Sequence, residues 1–292
     1  MARHHEPVNA KRRGPTTGVK YYLVTYNVLS ALGWSYVLIV TLIHVFRLDT
    51  PQSTTSNAAE QAKSALQRLL ELILSYIPFL PKPRTVVIKE HLRTRLPVAL
   101  WPYIDRAASA FWRVGKQTAF VQSFAALEVV HVLLGWVRSP LVTTAIQVAS
   151  RLWLVWGICD QYESARTSPL YATMVFAWSV TEVIRYSFYA FNLTGKEPYP
   201  LVWLRYTTFY ILYPLGAGSE AFVMFSTLPS SSPLPSEQTA FSQKWDWTDY
   251  GRGALFLVWW PGLYVMYTYM IKQRRKVIGG GGQKLRPKSK SE

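Results

Sequence analysis

Long apolar stretches separated by polar segments dominate the chain. A helix of about 20 apolar residues crosses the hydrocarbon core of a bilayer, and six stretches come close to that length. The pattern predicts an all-α fold, a polytopic membrane helix bundle with about six transmembrane helices. The predicted spans are 21–46, 117–137, 141–158, 169–193, 201–227 and 253–271.

The polar segments divide the chain into three parts. The first part, residues 1–20, is predicted to be a disordered basic N-terminal arm. The second, 21–275, is predicted to be a membrane domain, and the third, 276–292, a basic cytosolic tail. Within the membrane domain, 48–116 is a long amphipathic insert. Its segment 64–79 is too short and too charged to span comfortably, so it predicts a helix that lies in the membrane interface.

Composition agrees with a membrane protein. Half of the 292 residues are hydrophobic and 16% are charged, against about one quarter charged in an average soluble domain. The net charge of +16 does not indicate a nucleic-acid-binding protein, because the basic residues collect at the termini and between the apolar stretches. One cysteine, Cys159, excludes an internal disulfide and a cysteine-based metal cluster. The sequence predicts neither a metal nor a cofactor.

Charge asymmetry between the polar segments predicts the orientation. Lys and Arg are enriched in cytosolic segments next to membrane spans. With both termini in the cytosol, the N-terminal arm, Arg138, Lys196 and the basic cluster 272–276 fall on the same side. The sequence therefore predicts two cytosolic termini.

The last five residues resemble a retrieval signal. Lys288 and Lys290 occupy the fifth and third positions from the C-terminus. This is the K-x-K-x-x pattern by which coat proteins return membrane proteins to the endoplasmic reticulum. The predicted location is the endoplasmic reticulum membrane.

Polar residues inside four of the predicted spans mark the candidate site. A charge at membrane depth is costly, and it is tolerated where it pairs with another charge or lines a polar cavity. A structural ion network, a transporter and an enzyme all fit such a set, although the chain shows no inverted repeat of the kind found in many transporters. The residues are Glu128, Gln147, Arg151, Glu182, Arg185, Arg205, Tyr213 and Glu220.

The segment LVWLRYTTFYILYPLGAGSE, residues 201–220, carries the candidate reaction centre. On a helix, Tyr213 and Glu220 are seven residues apart and share one face two turns apart. Gly216 and Ala217 lie between them on that face. A phenol and a carboxylate therefore flank a notch of small residues, which is suited to acid–base chemistry.

The segment HVLLGWVR, residues 131–138, spaces a His, a Gly and an Arg as in a phosphatase loop. Val132 occupies the position at which that loop needs its nucleophilic cysteine, and Cys159 lies elsewhere. Phosphatase chemistry therefore has no nucleophile here.

Three runs of sequence, 127–156, 178–192 and 203–220, carry a family resemblance, and the last contains an LYPxGxxxE signature. They resemble the very-long-chain 3-hydroxyacyl-CoA dehydratases, also called protein-tyrosine-phosphatase-like proteins. The likeness covers roughly residues 18–46 and 117–275. The long insert departs from the shorter connection of that family.

The resemblance implies an endoplasmic reticulum enzyme of the fatty-acid elongation cycle, which removes water from a 3-hydroxyacyl-CoA to give a trans-2-enoyl-CoA. It implies Tyr213 and Glu220 as the catalytic pair. Its implied partners are the 3-hydroxyacyl-CoA substrate, the lipid bilayer and the elongase and reductase enzymes of the cycle. The supporting residues that match the family are Glu128, Gln147, Arg151, Arg185, Arg205 and Gly216.

Dehydration needs a base that removes the C2 proton and an acid that protonates the departing C3 hydroxyl. We expect Glu220 to be the base and Tyr213 to be the acid. The reverse assignment stays open, because a nearby guanidinium lowers the pKa of a phenol. A second hypothesis is a non-catalytic scaffold that binds acyl-CoA or the elongation enzymes.

Overall fold

The structure is a computed structural model that describes residues 16–46, 84–231 and 245–278. Helices joined by short connections make up these ranges, and no strand occurs within them. The predicted interfacial helix and the retrieval signal lie outside the described residues. The division into an arm, one membrane domain and a tail stays a prediction.

Two of the helical segments depart from α-helical geometry. A 3₁₀ turn, Val98–Leu100, precedes α3, and a π-helix, Trp153–Cys159, continues α6. The α-helices of the described residues are α1 (Thr17–Phe46), α2 (Arg84–Arg95), α3 (Trp101–Ala107), α4 (Ala110–Ser123), α5 (Ala126–Leu133), α6 (Leu141–Leu152), α7 (Glu163–Arg166), α8 (Leu170–Leu193), α9 (Tyr199–Arg205), α10 (Phe209–Phe225) and α11 (Trp247–Val277).

Three helices are long and apolar enough to cross a membrane: α1, α6 with its π-helical continuation, and α11. The class of membrane helix bundle is confirmed, and the number of six spans stays a prediction. α1 begins at Thr17, so the prediction of a disordered arm up to residue 20 was wrong at its end. α11 likewise extends beyond the predicted 253–271, because the polar ends of a helix remain helical outside the hydrocarbon core.

Two predicted spans, 117–137 and 201–227, are each divided between two helices, which corrects the prediction of continuous helices. Before the first break, the Ser123 hydroxyl donates to a backbone carbonyl four residues earlier, at 2.7 Å. At the second break, Thr208 makes the same kind of bond at 2.8 Å. Such bonds compete with the helical backbone and bend it.

α8 is the central helix of the bundle. α1 packs along its length, and α10 packs against it as well. Trp34 of α1 and Trp178 of α8 meet edge to face, with 6.4 Å between ring centres, inside the apolar core. α11 packs principally against α10, and none of the residues in its most apolar segment is buried. α11 therefore forms an outer wall of the bundle.

Local signals fix where the helices around the site begin and end. Gly135 (φ 70°) follows α5 and Gly195 (φ 80°) follows α8, both in the left-handed conformation that terminates helices. Asp246 caps α11 by accepting the backbone N–H of Trp247 at 2.7 Å. Asp249 completes a capping box by accepting the backbone N–H of Asp246 at 2.8 Å.

Ion pairs outside the spanning helices join α2 to α3. Arg93 Nη2 donates to both carboxylate oxygens of Asp105, at 2.7 and 2.8 Å, and Lys89 Nζ lies 3.0 Å from Oδ1. Partial burial opposes ionisation of Asp105, but the bonds and charges of Lys89 and Arg93 outweigh it and lower the pKa of the carboxyl. The junction therefore depends on an ionised Asp105.

Candidate functional site

A cavity of about 810 Å³ opens between α6, α8, α10 and α11. Its lining mixes charged, aromatic and apolar side chains, as ligand sites in helix bundles commonly do. The cavity brings together every membrane-embedded residue predicted for the site: Glu128, Gln147, Arg151, Glu182, Arg185, Arg205, Tyr213, Gly216 and Glu220.

α10 places Tyr213 and Glu220 along the same wall of the cavity, as the helical spacing predicted. The helix continues through Pro214. Gly216 lies between the two side chains, and a Cβ atom there would stand 3.4 Å from the Cβ of Ala177 on α8. A Cβ there would make an ordinary van der Waals contact, so α8 and α10 approach each other closely beside the pair.

A buried indole orients the Glu220 carboxylate. Nε1–H of Trp178 donates to Oε1 of Glu220 at 2.5 Å. An indole N–H can only donate, so the carboxylate is the acceptor. Trp178 is 2% exposed, and Trp34 holds it from the other side. The orientation of Glu220 is therefore fixed by the packing of the core.

Arg151 is the cation of the reaction centre. It is close enough to interact electrostatically with both Tyr213 and Glu220. Its guanidinium lies 4.8 Å from the ring centre of Trp178 and pairs with Glu182. The π-helix begins two residues after Arg151, and π-helical turns are frequently found at functional sites.

A chain of ion pairs continues from Arg151 across the bundle. Glu182 also pairs with Arg185, whose Nε lies 2.6 Å from Oε2, and Arg185 Nη2 donates to Oε1 of Glu128 at 2.6 Å. Tyr186 donates to the same Glu128 oxygen at 2.5 Å. Arg151, Glu182 and Arg185 thus meet between α6 and α8, and with Glu128 two acids balance two cations.

Arg205 lies elsewhere on the cavity wall, in an aromatic rather than an acidic setting. Its Nη2 donates to the Tyr189 hydroxyl at 3.1 Å, and its guanidinium lies 4.5 Å from the ring centre of Phe188. No carboxylate pairs with it among the described residues. Arg138 and Lys196, which the charge asymmetry predicted on the cytosolic side, are exposed loop residues that do not line the cavity.

Sequence reasoning missed the aromatic donors of α8. Trp178, Glu182, Arg185 and Tyr189 recur at intervals of four, three and four residues, so they form one stripe of the helix. This spacing was the available signal, since it places Trp178 one turn from a predicted site residue. Within the described residues, no three His, Cys, Asp or Glu side chains form a group able to hold a metal.

The fold and the cavity define a class of protein. It is a helical membrane protein in which a phenol and a carboxylate on one helix line the same partly enclosed cavity, together with charged side chains. The family profile described as "Protein tyrosine phosphatase-like protein, PTPLA" matches residues 122–280. The chain belongs to this family.

Several curated proteins resemble the chain. The probable very-long-chain (3R)-3-hydroxyacyl-CoA dehydratase of Schizosaccharomyces pombe is 43% identical over 64% of this chain and 84% of its own length. The very-long-chain (3R)-3-hydroxyacyl-CoA dehydratase hpo-8 of Caenorhabditis elegans is 32% identical over 91% of this chain and 98% of its own. The very-long-chain (3R)-3-hydroxyacyl-CoA dehydratase 2 of Homo sapiens is 33% identical over 58% of this chain and 68% of its own length. No solved structure matches.

Proposed function

We propose that this protein is a very-long-chain 3-hydroxyacyl-CoA dehydratase of the fatty-acid elongation cycle, with Tyr213 and Glu220 as its acid–base pair. The observation that carries the proposal is the position of both side chains on one helix face within one charged cavity. Membership of the family and the names of its relatives support the reaction.

The reaction is an elimination in which one proton leaves C2 and one hydroxyl leaves C3. Glu220 takes the C2 proton, and the electrons of that C–H bond form the C2=C3 double bond. The C3–O bond breaks as Tyr213 gives its proton to the oxygen, which departs as water. The proton held by Glu220 then returns to Tyr213 before the next turnover, so the enzyme is regenerated without any net proton uptake.

The hydrogen bond from Trp178 supports Glu220 as the base. Trp178 and Trp259 both hydrogen-bond the carboxylate. An indole N–H can only donate, so both bonds favour the ionised form that acts as a base. Arg151, which interacts with both groups, stabilises negative charge that develops on the thioester oxygen or on the phenol. The same position of Arg151 keeps the reversed assignment open, with a Tyr213 phenolate as the base.

Arg205 is proposed to bind the phosphates of coenzyme A. It is a cavity cation with an aromatic setting and no acidic partner among the described residues, and phosphate forms strong charge-assisted hydrogen bonds with arginine. Arg205 ends α9 and Tyr213 lies on α10, and both line the same cavity. An extended thioester that occupies this cavity contacts both residues.

The test is an assay of the purified protein with a long-chain 3-hydroxyacyl-CoA, following the enoyl product. We expect Tyr213→Phe and Glu220→Gln each to lower kcat about 100-fold or more, because each removes a proton-transfer group. The matched controls, Tyr264→Phe and Glu197→Gln, change exposed residues outside the cavity and should retain activity.

Two outcomes would contradict this assignment. Near-normal turnover by both site variants, with thermal unfolding like that of the parent, would remove the pair from the chemistry. A parent protein that binds the substrate but forms no enoyl product would favour the non-catalytic scaffold.

We also propose that the protein lies in the endoplasmic reticulum membrane with both termini cytosolic, beside the elongase and reductases that make its substrate and use its product. The basic last turn of α11, Arg274, Arg275 and Lys276, supports the cytosolic C-terminus. Epitope tags on both termini should be accessible to antibody after the plasma membrane alone is permeabilised. A tag that requires permeabilised internal membranes would contradict this orientation.

A further inference from the structure

The cavity has an opening on its side, between α6 and α11. Ile146 of α6 and Val258 of α11 both line the cavity, yet they are 63% and 64% exposed. Residues that combine these two properties lie at the rim of an opening. α11 packs principally against α10, so the space between α11 and α6 is not filled by helix packing within the described residues.

The opening lies between two membrane-spanning helices. α6 with its π-helical continuation, and α11, are two of the three helices long and apolar enough to cross a bilayer. Next to the rim, Val142 of α6 and Leu257 of α11 are apolar and 69% and 68% exposed. Both sides of the opening therefore present apolar side chains to the surroundings, which for spanning helices are lipid tails.

The lining on the α11 side of this opening is mainly apolar, whereas α6 contributes Thr144 and Gln147 beside Ile146. α8 carries the buried ion pairs of Glu182 and Arg185, whereas Val258, Leu263 and Met266 line the cavity from α11. Trp259, adjacent to Val258 in the chain, interacts with the Glu220 carboxylate. An apolar wall thus runs between the reaction centre and the rim.

The size of the cavity is the third observation. About 810 Å³ is within the range of sites that enclose a drug-sized ligand. A coenzyme A thioester with a very long acyl chain is considerably larger, so part of such a substrate lies outside the cavity. The part of the acyl chain outside the cavity can lie among lipid tails at no cost in free energy relative to an apolar protein pocket, because lipid tails are as apolar as leucine side chains.

We propose that the gap between Ile146 and Val258 is a lateral portal through which the acyl chain of the substrate extends into the bilayer. This inference rests on the proposed function, since it assigns the hydrocarbon end of that substrate. The thioester lies at Tyr213 and Glu220, and the distal methylenes pass between α6 and α11 into lipid. The depth of the cavity then sets no upper limit on the length of the chain.

The first test narrows the portal with Ile146→Trp and, separately, Val258→Trp. We expect kcat/KM for 3-hydroxystearoyl-CoA to fall about tenfold, and kcat/KM for 3-hydroxyhexanoyl-CoA to change less than about twofold. Leu257→Trp adds the same bulk on α11 but does not line the cavity, because it lies about 100° around the helix from Val258, and it should leave both values unchanged. Equal losses with the two substrates, or no loss with either, would overturn the portal.

A second test needs no turnover. Val258→Cys, labelled with bimane in a lipid nanodisc, is titrated with a 3-hydroxyacyl-CoA brominated at its acyl terminus. The native thiol, Cys159, is 1% exposed and should escape labelling. We expect saturable quenching at Val258 and only the linear quenching of lipid partitioning at Leu257→Cys.

The two measurements separate the portal from the reaction. Saturable quenching in a protein that forms no enoyl product would refute the dehydratase and retain the portal. Dehydration of long chains without saturable quenching at Val258 would refute the portal and retain the dehydratase.

Discussion

Trp178 is the residue through which the core of the bundle reaches the reaction centre. Its N–H donates to Glu220, the guanidinium of Arg151 lies over its ring, and it meets Trp34 edge to face. A catalytic carboxylate needs a fixed geometry relative to the substrate, and small displacements cost rate. With Glu220 as the proposed base, Trp178 is proposed as a positioning residue, because it acts through Glu220.

Replacing Trp178 by Phe tests this role. The change keeps an aromatic ring but removes the donor to Glu220, so we expect kcat to fall about tenfold while KM stays within about twofold. Trp112→Phe is the matched control, because Trp112 is exposed and does not line the cavity. A rise in KM with unchanged kcat would assign Trp178 to substrate binding instead.

Among individual residues, the sequence identified those whose polarity conflicts with membrane depth. Glu182 and Arg185 could be paired from their spacing alone, because side chains three residues apart meet on a helix. The ion pair of Arg151 and Glu182 joins α6 to α8. It could not be predicted from spacing, because it depends on how the two helices pack. The bond from Trp178 was missed because an indole inside a membrane helix is unremarkable until its partner is known.

At the scale of helices, the ion pairs join α5, α6 and α8. Glu128, Arg151 and the pair on α8 contribute two negative and two positive charges, so each helix depends on its neighbours for neutrality. Removing one member leaves a buried charge without its partner, which costs more than the pair contributes. The helices of the site are therefore coupled in stability.

Arg185→Ala tests this coupling. It deprives Glu128 and Glu182 of a shared cation, and we expect the free energy of unfolding in detergent to fall by about 3–5 kcal/mol. Arg113→Ala, at an exposed position of α4, is the control and should change stability little. An Arg185→Ala protein as stable and active as the parent would show that the ion chain is dispensable.

The junction of α2 and α3 predicts a response to pH. The folded protein lowers the pKa of Asp105 below the unfolded value of about 3.9, so the stabilisation is present above that pH and is lost as the pH falls through the folded value. Asp105 is 45% exposed, so solvent screening limits the effect to less than about 1 kcal/mol.

Hydrogen exchange of α2 measures this junction. We expect exchange of α2 amides, corrected for the intrinsic pH dependence, to accelerate as the pH falls below about 4. Asp105→Asn should accelerate it at neutral pH and abolish the extra acceleration in acid. An α2 whose protection in acid matches that at neutral pH in the parent would contradict the role of the ion pairs.

Helix boundaries show where hydropathy fails. The start of α8 was predicted within one residue, because its apolar pattern is uninterrupted and forms a single continuous helix. The breaks after Ser123 and before Phe209 were missed, since both leave the apolar pattern intact. The second break places Arg205 and Tyr213 on different helices.

At the scale of the whole molecule, the arrangement places polar contacts inside and apolar helices outside. α8 carries buried charge at the centre, while α1, α6 and α11 have the length and hydropathy of spans. The sequence predicted this class from charge content and apolar length. The sequence did not predict that the cavity opens between α6 and α11. The position of the opening depends on which outer helices lack contact with each other, and this is a property of the tertiary packing.

The ion chain also bears on how the protein is made. Arg151 leaves the ribosome 31 residues before Glu182, and Glu128 precedes Arg185 by 57. A lone arginine at the centre of an inserting helix costs about 2.5–3.5 kcal/mol at the translocon. Because α1 is itself a candidate span, the test uses chains that lack α1. We expect such chains to be extracted from membranes by carbonate when they are truncated before Glu182, and to resist it when they include α8. Resistance in the shorter chains would mean that α5 and α6 insert independently. The order of synthesis thus makes the emergence of α8 the step that commits α5 and α6 to the bilayer.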